Sequence, residues 1–191
     1  DEPDTGDWFV SIDMAGFEEA GRKKKTQLDK TAIAIAKVNE DGWWVKDIIY
    51  GRWTFDETTR RIFNVVEEYD PVSVGLEAGI AKQAIVSPLI DMMRKKNVYF
   101  NIKELSHGNK NKLNRVVSAL QGRFEHGAIK LKKGKWNVEF LDQLFQFPNP
   151  QVHDDMVDAI AYIDQIAKTS YYQNFNVEET EYEPLDATAG Y

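Results

Sequence analysis

The chain has 191 residues, 42% hydrophobic and 29% charged, a size and balance that suit one globular domain with a substantial core. It has no cysteine, which excludes disulfides and thiolate metal sites, and no run nears the ~18 apolar residues of a membrane helix. The net charge of −7 argues against a nucleic-acid partner only until the charges are placed along the chain.

Residues 1–7 carry four acids and no base and read as a linker. The chain opens on Asp1 rather than Met, which points to a fragment or a processed product, and no secretory apolar segment lies near the start. The core domain is expected over residues 8–169. Trp8 to Met14 forms a short apolar strand that reaches a carboxylate at Asp13. A polar loop with Arg22-Lys23-Lys24-Lys25 follows. Thr31 to Val38 is a buried strand, Asp41-Gly42 a hairpin signal, and Trp43 to Trp53 a third strand, giving an antiparallel meander.

The period then changes. Thr54-Phe55-Asp56-Glu57 has the form of a capping box, and Ile62, Val65, Val66 and Tyr69 follow at helical spacing. Val72 to Glu77 is a strand that again ends on a carboxylate. Ile80 to Lys96 reads as a helix despite Pro88. Val98 to Ile102 is a fifth strand, Asn109 to Phe124 a basic helix, Val138 to Phe145 a short helix, and Asp154 to Lys168 a final amphipathic helix. Residues 170–191, with five acids and no base, read as a tail. The fold class is α/β: a mixed sheet of five or more strands, three antiparallel and then parallel, with helices on both faces.

Three acidic places can meet in such a sheet: Asp13, Glu77, and the group Asp154, Asp155 and Asp158 at the start of the last helix. At an effective dielectric of ~20, a pair of carboxylates 4 Å apart repels by ~4 kcal/mol. Convergence therefore calls for cations, and hard oxygen donors favour Mg²⁺ or Mn²⁺. Two such ions roughly 4 Å apart activate water and stabilise a leaving oxygen in phosphodiester hydrolysis. Each acid also has an ordinary reading: a helix cap, a partner of the helix dipole, or a solvated strand end.

The segments Phe9-Val10-Ser11-Ile12-Asp13, Asp29-Lys30-Thr31-Ala32-Ile33, Val74-Gly75-Leu76-Glu77 and His153-Asp154-Asp155-Met156-Val157-Asp158-Ala159-Ile160 occur in that order. Together they resemble the nuclease domain of the large terminase subunit of tailed double-stranded DNA phages, within the ribonuclease H-like superfamily. Lys110 to Leu131, with its Ile-Lys-Leu strand, also resembles that family. The resemblance implies that Asp13, Glu77 and Asp155 are the catalytic metal-binding triad. It implies that Asp158 or Asp154 assists and that two Mg²⁺ or Mn²⁺ ions are held. Asp29 matches the acid that opens the family's second strand. His153 is read as a ligand, a general base, a cap, or a donor that orients Asp155.

The basic segment supplies the expected DNA contacts. Residues 103–135 hold nine Lys and Arg against two acids, and without the two chain ends 24 bases face 22 acids. Lys110, Lys112, Arg115, Lys130, Lys132 and Lys133 are the candidates for phosphate binding, with a solvated helix face as the plain alternative. The resemblance implies an endonuclease that cuts concatemeric viral DNA during packaging. It also implies a terminase ATPase domain, a portal protein and a small terminase subunit as partners, and the host cytoplasm as the location. This chain carries no phosphate-loop motif of its own, and the isolated domain is expected to be monomeric. Rival readings are a Holliday-junction resolvase or ribonuclease H, and a catalytically degenerate module that only binds DNA or a partner.

Overall fold

The computed structural model describes residues 1–14, 30–106 and 111–174. Six strands form one sheet: β1 (Asp7–Asp13), β2 (Thr31–Asn39), β3 (Gly42–Gly51), β4 (Ser73–Glu77), β5 (Ile102–Leu105) and β6 (Ile129–Leu131). Their spatial order is β5-β4-β1-β2-β3-β6. β2 is antiparallel to both its neighbours, and the other pairings are parallel. Five helices accompany them: α1 (Phe55–Tyr69), α2 (Ile80–Lys96), α3 (Lys112–Glu125), α4 (Trp136–Gln146) and α5 (Asp155–Asn174). The expected mixed sheet is present, with α5 running six residues past the expected end at Lys168. Among the described residues, no helix is long and apolar enough to cross a membrane.

Strand β2 shows how alternation divides the molecule. Ile33 and Ile35 face α1 and α2, where they join Val10, Ile12, Phe63, Val74 and Leu76. Ala32, Ala34 and Ala36 face the other way, toward α3, α4 and α5. Ser11 of β1 pairs with Ala34 on one side and Gly75 of β4 on the other, so three small residues form a row across the sheet. The long helix α5 lies in this trough, close enough for the Ser11 hydroxyl to donate to the Ala159 carbonyl at 2.5 Å. At Gly75 even a methyl group would stand 2.7 Å from the Leu105 side chain.

The connections follow their local chemistry. Gly42 closes the β2–β3 turn at φ +126, and a Cβ there would strike the Ala128 carbonyl, the same carbonyl that accepts from Trp43 N–H at 2.7 Å. Thr54 and Glu57 make both halves of the capping box at the start of α1. Asn111 accepts from Leu113 N–H to open α3. Pro88 sits on the solvent side of α2, where the carbonyl its ring leaves unpaired can be hydrated.

Candidate active site

The register of the sheet decides which side chains share its active edge. Ile12 of β1 pairs with Leu76 of β4, so Asp13 and Glu77 leave neighbouring parallel strands at the same level. Asp13 also pairs with Ala32 of β2, which pairs with Tyr50 of β3. Asp13, Glu77 and Tyr50 therefore line one edge on the face that α5 covers. Asp155 and Asp158 occupy the first turn of α5 above them.

Asp13 is buried and hydrogen-bonds Glu77 through its carboxyl group. Its pKa is pushed well above the usual aspartate range, first by burial, then by that hydrogen bond and by the charges of Glu77, Asp158 and Asp155. The backbone N–H of Met14 donates to Glu77 Oε2 at 3.3 Å, and the Tyr162 hydroxyl donates to Glu77 Oε1 at 3.3 Å. The Tyr50 hydroxyl donates to Asp155 Oδ2 at 3.2 Å. Burial and the adjacent carboxylates drive both phenols well above their ordinary pKa, so they remain donors.

A cationic wall stands beside these acids. Arg115 donates to Asp158 Oδ1 at 2.6 Å, with side-chain exposures of 10% and 7%. Its guanidinium lies 4.6 Å from the centre of the Tyr162 ring. Lys112 reaches Asp154 Oδ1 at 2.7 Å and Asp158 Oδ2 at 2.5 Å. Burial draws the Lys112 ammonium down, but Asp158 and Asp154 outweigh it, and its net pKa is raised. On the far side, Lys30 pairs with Glu139 of α4 at 3.0 Å and lies 4.2 Å from the centre of the Tyr50 ring.

A family model described as the terminase RNase H-like domain matches residues 18–164. The chain belongs to this family. The matched stretch includes Glu77, Asp154, Asp155 and Asp158, while Asp13 lies just before it. Among solved structures, the large terminase nuclease of thermophilic phage G20c superposes with a TM-score of 0.62 at 16% identity, over 84% of this chain and 82% of that one. The human cytomegalovirus terminase nuclease domain gives 0.59 at 13%, over 85% and 83%. The phage P22 large terminase nuclease domain gives 0.58 at 12%, over 88% and 84%. At these identities the likeness is one of fold. Among curated proteins, none matches in sequence.

Within this terminase fold, Asp13, Glu77, Asp155 and Asp158 come to one place, with Asp154 at its rim bonded to Lys112. Among the described residues, no three acidic or histidine side chains stand in a finished metal-ligand arrangement. The donor set nevertheless suits a hard divalent cation. Its atoms are carboxylate oxygens, and burial and three acidic neighbours all oppose the charge on Asp13, a deficit that a bound cation reverses.

His153 is half-exposed, with its Nδ1 3.9 Å from Asp155 Oδ2, the oxygen that accepts from the Tyr50 hydroxyl. The sequence set Arg115 among the DNA contacts, but its guanidinium is turned inward onto Asp158 and Tyr162. Lys130, Lys132 and Lys133 are exposed on and just after β6. Asp29, Lys110 and the Arg22–Lys25 loop lie outside the described residues, as do residues 175–191 of the acidic tail.

Sequence reasoning missed Tyr50, Tyr162 and Lys30. For Tyr162 a signal existed: it follows Asp158 by four residues and Asp155 by seven, on one face of α5.

Proposed function

We propose that this domain cuts double-stranded DNA by metal-dependent phosphodiester hydrolysis, with Asp13, Glu77 and Asp155 holding two divalent ions, Mg²⁺ or Mn²⁺. Membership of the terminase RNase H-like family gives the reaction its setting, the endonuclease step of viral genome packaging. The observation that carries the chemistry is the state of Asp13, buried among Glu77, Asp155 and Asp158, all of which oppose its ionisation. Related domains support the use of a divalent ion: the cytomegalovirus nuclease domain was soaked with Mn, and the G20c nuclease has bound zinc.

When bound, such ions lower the pKa of a water for in-line attack and stabilise the leaving 3′ oxygen, which leaves a 5′ phosphate on the product. The chain's own residues set the stage. Met14 N–H fixes one oxygen of Glu77. Arg115 and Lys112 neutralise Asp158 and Asp154, so those acids brace the wall of the site, and assisting at the metal is their secondary role. The Lys112 side chain is 46% exposed beside the acids it holds, and in this reading its ammonium also meets the scissile phosphate. Exposed Lys130, Lys132 and Lys133 hold the DNA backbone without reading sequence. In this reading the domain is monomeric when isolated and works in the host cytoplasm. Its partners are a terminase ATPase domain, the portal and a small terminase subunit.

The test is cleavage of linear duplex, four-way junction and RNA–DNA hybrid in Mn²⁺ and in Mg²⁺. Linear duplex is expected to be cut. Asp13→Asn and Asp155→Asn are each expected to lower the rate by about a hundredfold or more, since the ions supply several kcal/mol of transition-state stabilisation. Preference for the junction or the hybrid would move the domain to another nuclease class. No cleavage of any substrate by the wild type would reduce it to a binding module.

A further inference from the structure

We infer that Tyr50 and Tyr162 are positioning residues whose hydroxyls fix the orientation of Asp155 and Glu77 toward bound cations. The inference rests on the metal-site reading above and adds two residues to it.

Each carboxylate would have to present a chosen oxygen to a cation, yet both side chains rotate about single bonds. Glu77 has one more such bond than aspartate, and it is held at both oxygens: Met14 N–H on Oε2 and the Tyr162 hydroxyl on Oε1, each at 3.3 Å. Asp155 receives the Tyr50 hydroxyl on Oδ2 at 3.2 Å. The donors come from separate places, the residue just after the first strand, the third strand and the last helix, so the acids are braced from three directions.

The two tyrosines are themselves clamped in the same manner. Tyr162 is fully buried and carries the Arg115 guanidinium 4.6 Å from its ring centre, and Arg115 is tied to Asp158. Tyr50 carries the Lys30 ammonium 4.2 Å from its ring centre, and Lys30 is tied to Glu139. Each ring thus has a cation on its face, and each cation has an acid holding it. A cation over an aromatic face is attracted to it, and here the attraction fixes the plane in which the hydroxyl points. Groups that orient metal ligands in this way are worth about 10- to 100-fold in metal affinity.

The experiment measures Mn²⁺ binding by calorimetry on the metal-free domain, for wild type, Tyr50→Phe, Tyr162→Phe and the double variant, beside Asp13→Asn. Tyr99→Phe, an exposed ring 66% open to solvent, is the control. Each Tyr→Phe change removes one oxygen and keeps the ring. Mn²⁺ affinity is expected to fall about tenfold or more for each. The melting temperature in chelator should hold, and cleavage should recover at saturating Mn²⁺. A merely structural role would lower the melting temperature and leave Mn²⁺ affinity intact. Unchanged affinity in the double variant, with Asp13→Asn abolishing binding, overturns the tyrosine assignment and leaves the metal site standing. If the wild type binds no Mn²⁺, the metal site falls and the assignment falls with it.

Discussion

Arg115 and Asp158 meet across 2.6 Å, joining α3 to α5 through a pair that is almost shut off from solvent. A buried pair is costly to break because the surviving charge stays buried. Arg115→Met is therefore expected to destabilise the domain by about 3 kcal/mol, toward the low end of the usual range, because Lys112 remains on Asp158 at 2.5 Å. Adding Asp158→Asn should restore part of the loss. Urea unfolding measures both, and a cost under about 1 kcal/mol, the range of an exposed pair, would contradict the inward geometry.

The acidic cluster predicts an unusual pH profile for the metal-free protein. The folded pKa of Asp13 is raised, so above the ordinary aspartate range the native state keeps a proton that the unfolded chain has released. Stability must then fall as pH rises through that window, by at most about 1.4 kcal/mol per pH unit for one proton. Glu77 of β4 and Asp155 and Asp158 of α5 face this group, with Arg115 and Lys112 behind Asp158. Mn²⁺ should flatten the slope or reverse it. Unfolding midpoints from about pH 5 to about pH 8, with and without Mn²⁺, check this; a metal-free slope of the opposite sign would count against the cluster.

The lysines after β6 make a separate prediction for binding. Lys132 and Lys133 are exposed, so replacing both with alanine should leave stability almost untouched. If each meets one phosphate, the slope of log affinity against log salt should shrink by about 2. The loss should be equal for unrelated duplex sequences. Fluorescence anisotropy in chelator, at several salt concentrations, provides the measurement.

Gly75 offers a packing test close to the site. A Cβ there would press to within 2.7 Å of Leu105, which is fully buried and cannot swing away. Gly75→Ala should cost about 1–3 kcal/mol, and Leu105→Val in the same chain should recover some of it. Thermal melting of the single and double variants distinguishes this clash from a simple change in strand propensity.

Much of the fold was legible because its signals are local. Short apolar runs ending at Asp13 and Glu77 announced two strands, and Thr54 with Glu57 announced a helix start that the structure makes in full. Tyr50 was hidden by a defect in strand alternation. The β2–β3 register skips between Ile35 and Ala36, where Asp47 and Val45 are the respective partners and Lys46 is the extra residue. Counting alternate residues from Trp43 sends Tyr50 to the wrong face; the bulge turns it back toward Asp155. The ion pairs of Lys112 and Arg115 were illegible for a different reason. Their spacing of three puts both on one side of α3, but a helix face shows its charges without saying whether DNA or α5 lies opposite.

The seat of α5 also governs when this protein can become active. Asp13 and Glu77 can come together as soon as β1 and β4 pair, but Asp155 arrives only when the helix settles into the trough that Ser11 latches at Ala159. Among the described residues, α5 is the last element in sequence order, so it leaves the ribosome after the strands whose centre it completes. A copy whose last helix has not docked therefore holds an unfinished centre, and the proposed chemistry waits on that docking.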